Sequence, residues 1–163
     1  MSSPAARGWI RLLAVAGVVV AVDQASKAAV VSGLRLGEQV DLPFGFQLTR
    51  VANNGVAFGL LEHAGDAVVL AVTLGALALV IGWFATDAAR PGLWLGVGLL
   101  AGGALGNLAD RIRDGAVTDF IDPPLWPSFN VADIAITLGV VVLVLSAFSE
   151  SSSRSGVAAA GEP

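Results

Sequence analysis

Residues 9–31 read Trp9-Ile10-Arg11-Leu12-Leu13-Ala14-Val15-Ala16-Gly17-Val18-Val19-Val20-Ala21-Val22-Asp23-Gln24-Ala25-Ser26-Lys27-Ala28-Ala29-Val30-Val31. Arg7 and Arg11 in front of an apolar run could open a secretory signal peptide. The apolar part of such a peptide is about 7–15 residues long and ends in a small-residue cleavage site. This run is longer and continues through Asp23 and Lys27, so it reads as an uncleaved membrane span.

Working outward, three more apolar runs follow at 67–85, 93–109 and 131–148. Crossing the hydrocarbon core takes about 20 apolar residues, with about 17 as a minimum. The third run is short and rich in small residues (Gly96, Gly98, Gly102, Gly103, Gly106), a pattern that lets helices approach closely in lipid. The fold class expected is therefore an all-α membrane protein of four transmembrane helices. A small β-rich surface segment lies between helices 1 and 2, where Gln39–Leu42 and Phe46–Val51 alternate around the turn residues Pro43 and Gly45. Residues 1–149 form one domain, and the Ser-rich tail 150–163 is expected to be disordered.

Composition agrees. Of 163 residues, 55% are hydrophobic and only 13% charged, against about 25% charged in a soluble domain. The net charge of -4 supplies no basic footprint for nucleic acid. Cysteine is absent and His63 is the single histidine, which leaves no thiolate chemistry and little room for a zinc site or a Ser/His/Asp triad. No metal or cofactor is expected. Four spans put both termini on one side with Arg90. Arg7, Arg11, Arg90 and Arg154 then oppose Arg35, Arg50, Arg111 and Arg113, so arginine counting gives no orientation.

The remaining polar residues gather near one membrane edge. Asp23 and Lys27 are four apart and share a helix face, as an ion pair locking helix 1 or as part of a site. In Asn53-Asn54-Gly55-Val56-Ala57-Phe58-Gly59, the asparagines suit a tight turn, or Asn54 turns its amide towards a peptide. Asn107, Asp110 and Arg111 share a face at the end of span 3. Asp119 sits among apolar and β-branched neighbours, Val117-Thr118-Asp119-Phe120-Ile121, read as a loop at the membrane surface where desolvation favours a held proton. Asn130 and Asp133 open span 4 as N-cap and N3 of a capping box, which by itself would account for both. Asp119 and Asp133 together would sit in contrasting environments and titrate as a unit. One carboxylate can then take a proton from water while its protonated partner polarises a carbonyl.

These motifs, in this order, resemble the lipoprotein signal peptidase family, also called signal peptidase II. They are Asp23-Gln24-Ala25-Ser26-Lys27, Asn53-Asn54-Gly55-Val56-Ala57-Phe58, Gly102 to Arg111, Val117-Thr118-Asp119-Phe120 and Phe129-Asn130-Val131-Ala132-Asp133. The resemblance implies an aspartic endopeptidase of the bacterial inner membrane, with cytoplasmic termini and a site near the outer leaflet. Its substrates would be diacylglyceryl-modified prolipoproteins held in membrane lipid, cleaved before the lipidated cysteine. It further implies Asp119 and Asp133 as catalytic residues, Asn54, Asn107, Arg111 and Asn130 lining the site, and Asp23, Lys27 and Asp110 supporting it. Globomycin is the expected inhibitor and a monomer the expected state. The competing reading is a small transporter or channel subunit, which would carry its charges near the bilayer midplane and often show paired repeats. Here they lie near one edge and no repeat is visible.

Overall fold

The computed structural model describes residues 2–54 and 66–159. The run Gly55-Val56-Ala57-Phe58-Gly59 and His63 lie outside the described residues. Among the described residues, four helices are long and apolar enough to cross a membrane. Helix α1 covers Pro4–Gly33, α2 Asp66–Thr86, α3 Leu93–Asp114 and α4 Val131–Ala159. Between α1 and α2 lie strands β1 (Gln39–Asp41) and β2 (Gln47–Asn53), and between α3 and α4 lies β3 (Val117–Asp122).

Ser3 caps α1 by accepting from the Ala6 N–H at 3.2 Å, and Pro4 occupies the first turn, where its missing N–H is harmless. The residues that α1 buries are Gly8, Leu12, Ala16, Val19, Asp23, Lys27 and Val30, a stripe of threes and fours that lies along one face. Most of the rest of the helix surface is apolar and exposed, with Ile10, Leu13, Val18 and Val22 all facing outward, and Arg7 and Arg11 are exposed near its start. In water this would be costly; in lipid it is the expected surface.

Helix α3 is the hub, packing against α1, α2 and α4, most extensively against α4 and α1. Its small residues make this possible. A Cβ at Gly102 would stand 2.7 Å from that of Val19, and one at Gly106 would stand 2.6 Å from Asp23 Oδ2. On its other side, a Cβ at Gly103 would collide with the Ala132 carbonyl oxygen of α4. The expected third span ends near Ala109, but the helix continues to Asp114 and stops at Gly115, whose φ of 74° supplies the left-handed cap. Asn107, Asp110 and Arg111 therefore ride on continuous helix. Helix α4 likewise runs on past Phe148 to Ala159, into the segment expected to be disordered; extending an existing helix adds one hydrogen bond per residue fixed, even in a Ser-rich stretch.

The three strands form one antiparallel sheet, β1-β2-β3. The hairpin between helices 1 and 2 agrees with the sequence reading. The third strand corrects it. Residues Val117–Asp122, taken as a surface loop, pair with β2 in a register that sets Val51 opposite Asp119 and Asn53 opposite Val117. Their partner is remote in sequence, so short-range alternation gave little sign of it. After β3 the chain turns through the prolines, and an isolated bridge between Ile121 and Phe129 brings it back. That return delivers Asn130 to the side of β3 just as α4 begins.

Candidate active site

Helices α1, α3 and α4 and strand β3 each contribute to one hydrogen-bonded polar network. At its base is Lys27, 1% exposed. Its ammonium lies 2.9 Å from Asp23 Oδ2 and 2.8 Å from Asp110 Oδ2, and donates to Asn107 Oδ1 at 2.8 Å. An ammonium has three donors and no acceptor, so all three are used. Asp23 and Asp110 are completely buried. Asp23 Oδ1 reaches across to accept the backbone N–H of Ala132 at 2.9 Å, satisfying a free N–H in the first turn of α4. Asp110 also accepts from Gln24 Nε2 at 2.8 Å and from the Thr118 N–H at 3.2 Å, which joins α3 to α1 and to β3.

Above this cluster stand Asp119 and Asp133, joined by asparagines. Asn130 Nδ2 donates to Asp119 Oδ1 at 2.6 Å and to Asn107 Oδ1 at 3.1 Å. Asn130 Oδ1 accepts the Asp133 N–H at 3.0 Å, and Asp133 Oδ2 accepts the Asn130 N–H at 3.2 Å. This is the reciprocal capping box read from the sequence. It engages only one carboxylate oxygen. The other, Oδ1, accepts from Asn107 Nδ2 at 2.8 Å. Capping and membership of the network thus coexist at Asp133.

Asp119 is 2% exposed. Burial is the main reason its pKa is pushed up to about 6, and the charge of Asp133 adds to the rise. Hydrogen bonds from Asn53 and Asn130, and the charge of Lys27, pull the other way.

Of the residues singled out in the sequence, Asp23, Lys27, Asn107, Asp110, Asp119, Asn130 and Asp133 meet in this network. Arg111 lies half-buried one helical turn beyond Asn107, and Asn54 is exposed at the end of β2. Of the two adjacent asparagines, the one that reaches Asp119 is Asn53, donating to Oδ2 at 2.8 Å. Strand alternation held the clue, since Asn53 shares a face with Val51, which stands opposite Asp119, whereas Asn54 falls on the other. Gln24 also went unassigned. It bridges Asp23, Asp110 and the Gly106 carbonyl, and its own oxygen accepts from Arg113 at 3.0 Å. Its place inside the Asp23–Lys27 motif was its only signal.

Fold and site define a class: a four-span membrane protein with two carboxylates converging on one asparagine at the end of the bundle. The family model for signal peptidase (SPase) II matches residues 15–149. The chain is 43% identical over 145 residues to the lipoprotein signal peptidase of Pelotomaculum thermopropionicum, covering 88% of this chain and 95% of that one. It is 41% identical over 132 residues to that of Moorella thermoacetica, covering 80% and 88%. A bacterial membrane enzyme solved by the in meso method at 2.3 Å resolution superposes with a TM-score of 0.81 at 30% identity, covering 88% of this chain and 90% of that one. The chain belongs to the signal peptidase II family. It is thus a multi-pass bacterial membrane enzyme, an aspartic-type lipoprotein signal peptidase that removes signal peptides from prolipoproteins.

Proposed function

We propose that Asp119 and Asp133 are the catalytic pair. The observation that carries this reading is Asn130, which bonds Asp119 through its amide and Asp133 through its backbone N–H and side-chain oxygen. Two carboxylates held by one residue share a proton more readily than they both ionise. The ionised member takes a proton from water as the water oxygen attacks the scissile carbonyl carbon. The protonated member donates to the carbonyl oxygen. Collapse of the tetrahedral diol breaks the C–N bond, and a proton passes to the leaving amine nitrogen. No covalent intermediate is needed.

The scissile bond is the one before a cysteine that already bears a diacylglyceryl group, whose acyl chains stay in the bilayer while the peptide enters from the side. Asn54 and Arg111 contact the peptide, and Asn107 and Asn130 line the pair. The termini are cytoplasmic and the pair lies near the outer leaflet. The enzyme works as a monomer, without metal or cofactor, and globomycin occupies the peptide's place.

Asp119→Asn and Asp133→Asn, each assayed on a diacylglyceryl-modified prolipoprotein, test the assignment. Both variants are expected to insert and fold but to lose cleavage almost entirely. Full activity in either one would remove that residue from the pair. Orientation is read separately from cysteine-labelling of positions 3 and 35 in intact cells, with only the latter expected to react from outside.

A further inference from the structure

Lys27 is buried, saturated by partners and distant in sequence from the proposed catalytic pair, yet one side chain separates it from Asp133. That side chain is Asn107. An asparagine amide has two ends of similar shape and opposite hydrogen-bonding sense. At Asn107 the oxygen meets two donors, Lys27 Nζ at 2.8 Å and Asn130 Nδ2 at 3.1 Å, while the NH2 meets Asp133 Oδ1 at 2.8 Å. Turning the amide over would set donor against donor twice and acceptor against carboxylate once. Lys27 can only donate, so it enforces the orientation. Its charge also polarises the amide and strengthens the N–H offered to Asp133, as happens along a hydrogen-bonded chain in a low dielectric.

We propose that Lys27 is a positioning residue for the hydrolysis, acting through Asn107. Its ammonium, fixed between Asp23 and Asp110, holds the Asn107 amide in the one orientation that places an N–H donor on Asp133 Oδ1. Asn107 is then a relay between a buried ion cluster and the catalytic pair, and not a contact for the peptide. This inference rests on the reading of Asp133 as catalytic.

The geometry explains why a lysine is present at all. Two buried carboxylates would each be served by neutral donors, as Asp119 is by Asn53 and Asn130. A single cation between Asp23 and Asp110 has one donor left over, and that donor is the one on Asn107. Asp23 and Asp110 set where the ammonium stands, with Gln24 buttressing both carboxylates from the side.

The test is a double-mutant cycle on the full-length enzyme. Lys27→Met is combined with Asp23→Asn, so that the net charge of the cluster is unchanged, and this pair is made with and without Asn107→Ala. Steady-state cleavage of a diacylglyceryl-modified prolipoprotein gives kcat and KM, and thermal unfolding confirms that each protein is folded. The charge-balanced pair is expected to lower kcat by about 10- to 100-fold with KM little changed, the scale of a small misplacement of a reacting group. Asn107→Ala should do the same, and the combination should be scarcely worse than either alone. Multiplied losses, or a change confined to KM, would overturn the relay. Should the charge-balanced pair not accumulate, Asn107→Asp decides the matter. It keeps an acceptor for Lys27 and Asn130 and turns an acceptor towards Asp133, so kcat should fall about as far at unchanged KM, and unchanged kcat overturns the proposal. Asp133→Asn is run alongside. A cleaving Asp133→Asn enzyme sinks the catalytic pair itself, whereas a dead one with multiplied losses in the cycle sinks only the relay.

Discussion

The two halves of the polar network treat carboxylates differently. Asp23 and Asp110 are fully buried and share one ammonium at 2.9 and 2.8 Å. Asp119 and Asp133 are held by amides and backbone N–H groups. A buried carboxylate beside a cation ties elements together. A carboxylate held by neutral donors is placed as firmly, but its proton can come and go near neutral pH, as the pKa of about 6 at Asp119 illustrates. On the proposed assignment the lower half builds and the upper half reacts, and Asn107 touches both.

The largest test of this contrast exchanges acid for amide in each half. Asparagine at 119 or 133 should cut turnover by at least about 10³-fold, within the range of lost general acid–base catalysis, without lowering the unfolding midpoint. Asparagine at 23 or 110 should do the reverse, lowering the unfolding midpoint while leaving measurable cleavage. A stable but inactive Asp23→Asn enzyme would break the division.

Next in size is Lys27→Met. It leaves Asp23 buried without a cation and Asp110 with only Arg113, at 3.3 Å, which should cost about 3–5 kcal/mol of stability, measured by unfolding in detergent micelles. Adding Asp23→Asn should recover part of that loss.

The third expectation concerns pH. In the fold Asp119 keeps its proton up to about pH 6, against an ordinary 3.8. A raised carboxyl pKa means that the folded state binds more protons than the unfolded state between those values, so stability falls as pH rises through this window. The penalty is absent below about pH 4 and complete above about pH 6, reaching roughly 3 kcal/mol. Asp119→Asn removes it. Unfolding of the two proteins measured across the window should show the variant gaining on the parent as pH rises, and parallel curves would show that Asp119 is not so perturbed.

The smallest effect belongs to Asn53→Ala. Its amide opposes the rise at Asp119, so removing it should carry the Asp119-dependent limb of the pH–rate profile upward by about one unit or less. The same change at Asn54 should leave that limb in place.

Much of this was legible beforehand. The four spans follow from apolar runs that no water-soluble fold could cover, and close packing by the third span from its glycines; that α1 is the helix set against Gly98, Gly102 and Gly106 came with the structure. The capping box at Asn130 and Asp133 is a local pattern, and local patterns survive folding. Strand β3 was not legible, because a strand's evidence is its partner, and β2 lies far away in the chain. Asn53 and Asn54 are not separable in the sequence, because two adjacent asparagines differ only in which face of a strand they occupy.

The sequence by itself determined that this chain lives in lipid, where its spans run, and which acids and amides stand near one membrane edge. These follow from composition and spacing, which depend on neighbours in the chain. Tertiary structure alone decided the pairings: that one ammonium serves Asp23 and Asp110, that Asn53 and not Asn54 reaches Asp119, and that Asn107 turns its N–H to Asp133. Hydrogen-bond partners are chosen at about 3 Å by elements remote in sequence, and that choice is made only when α1, α3, β3 and α4 come together.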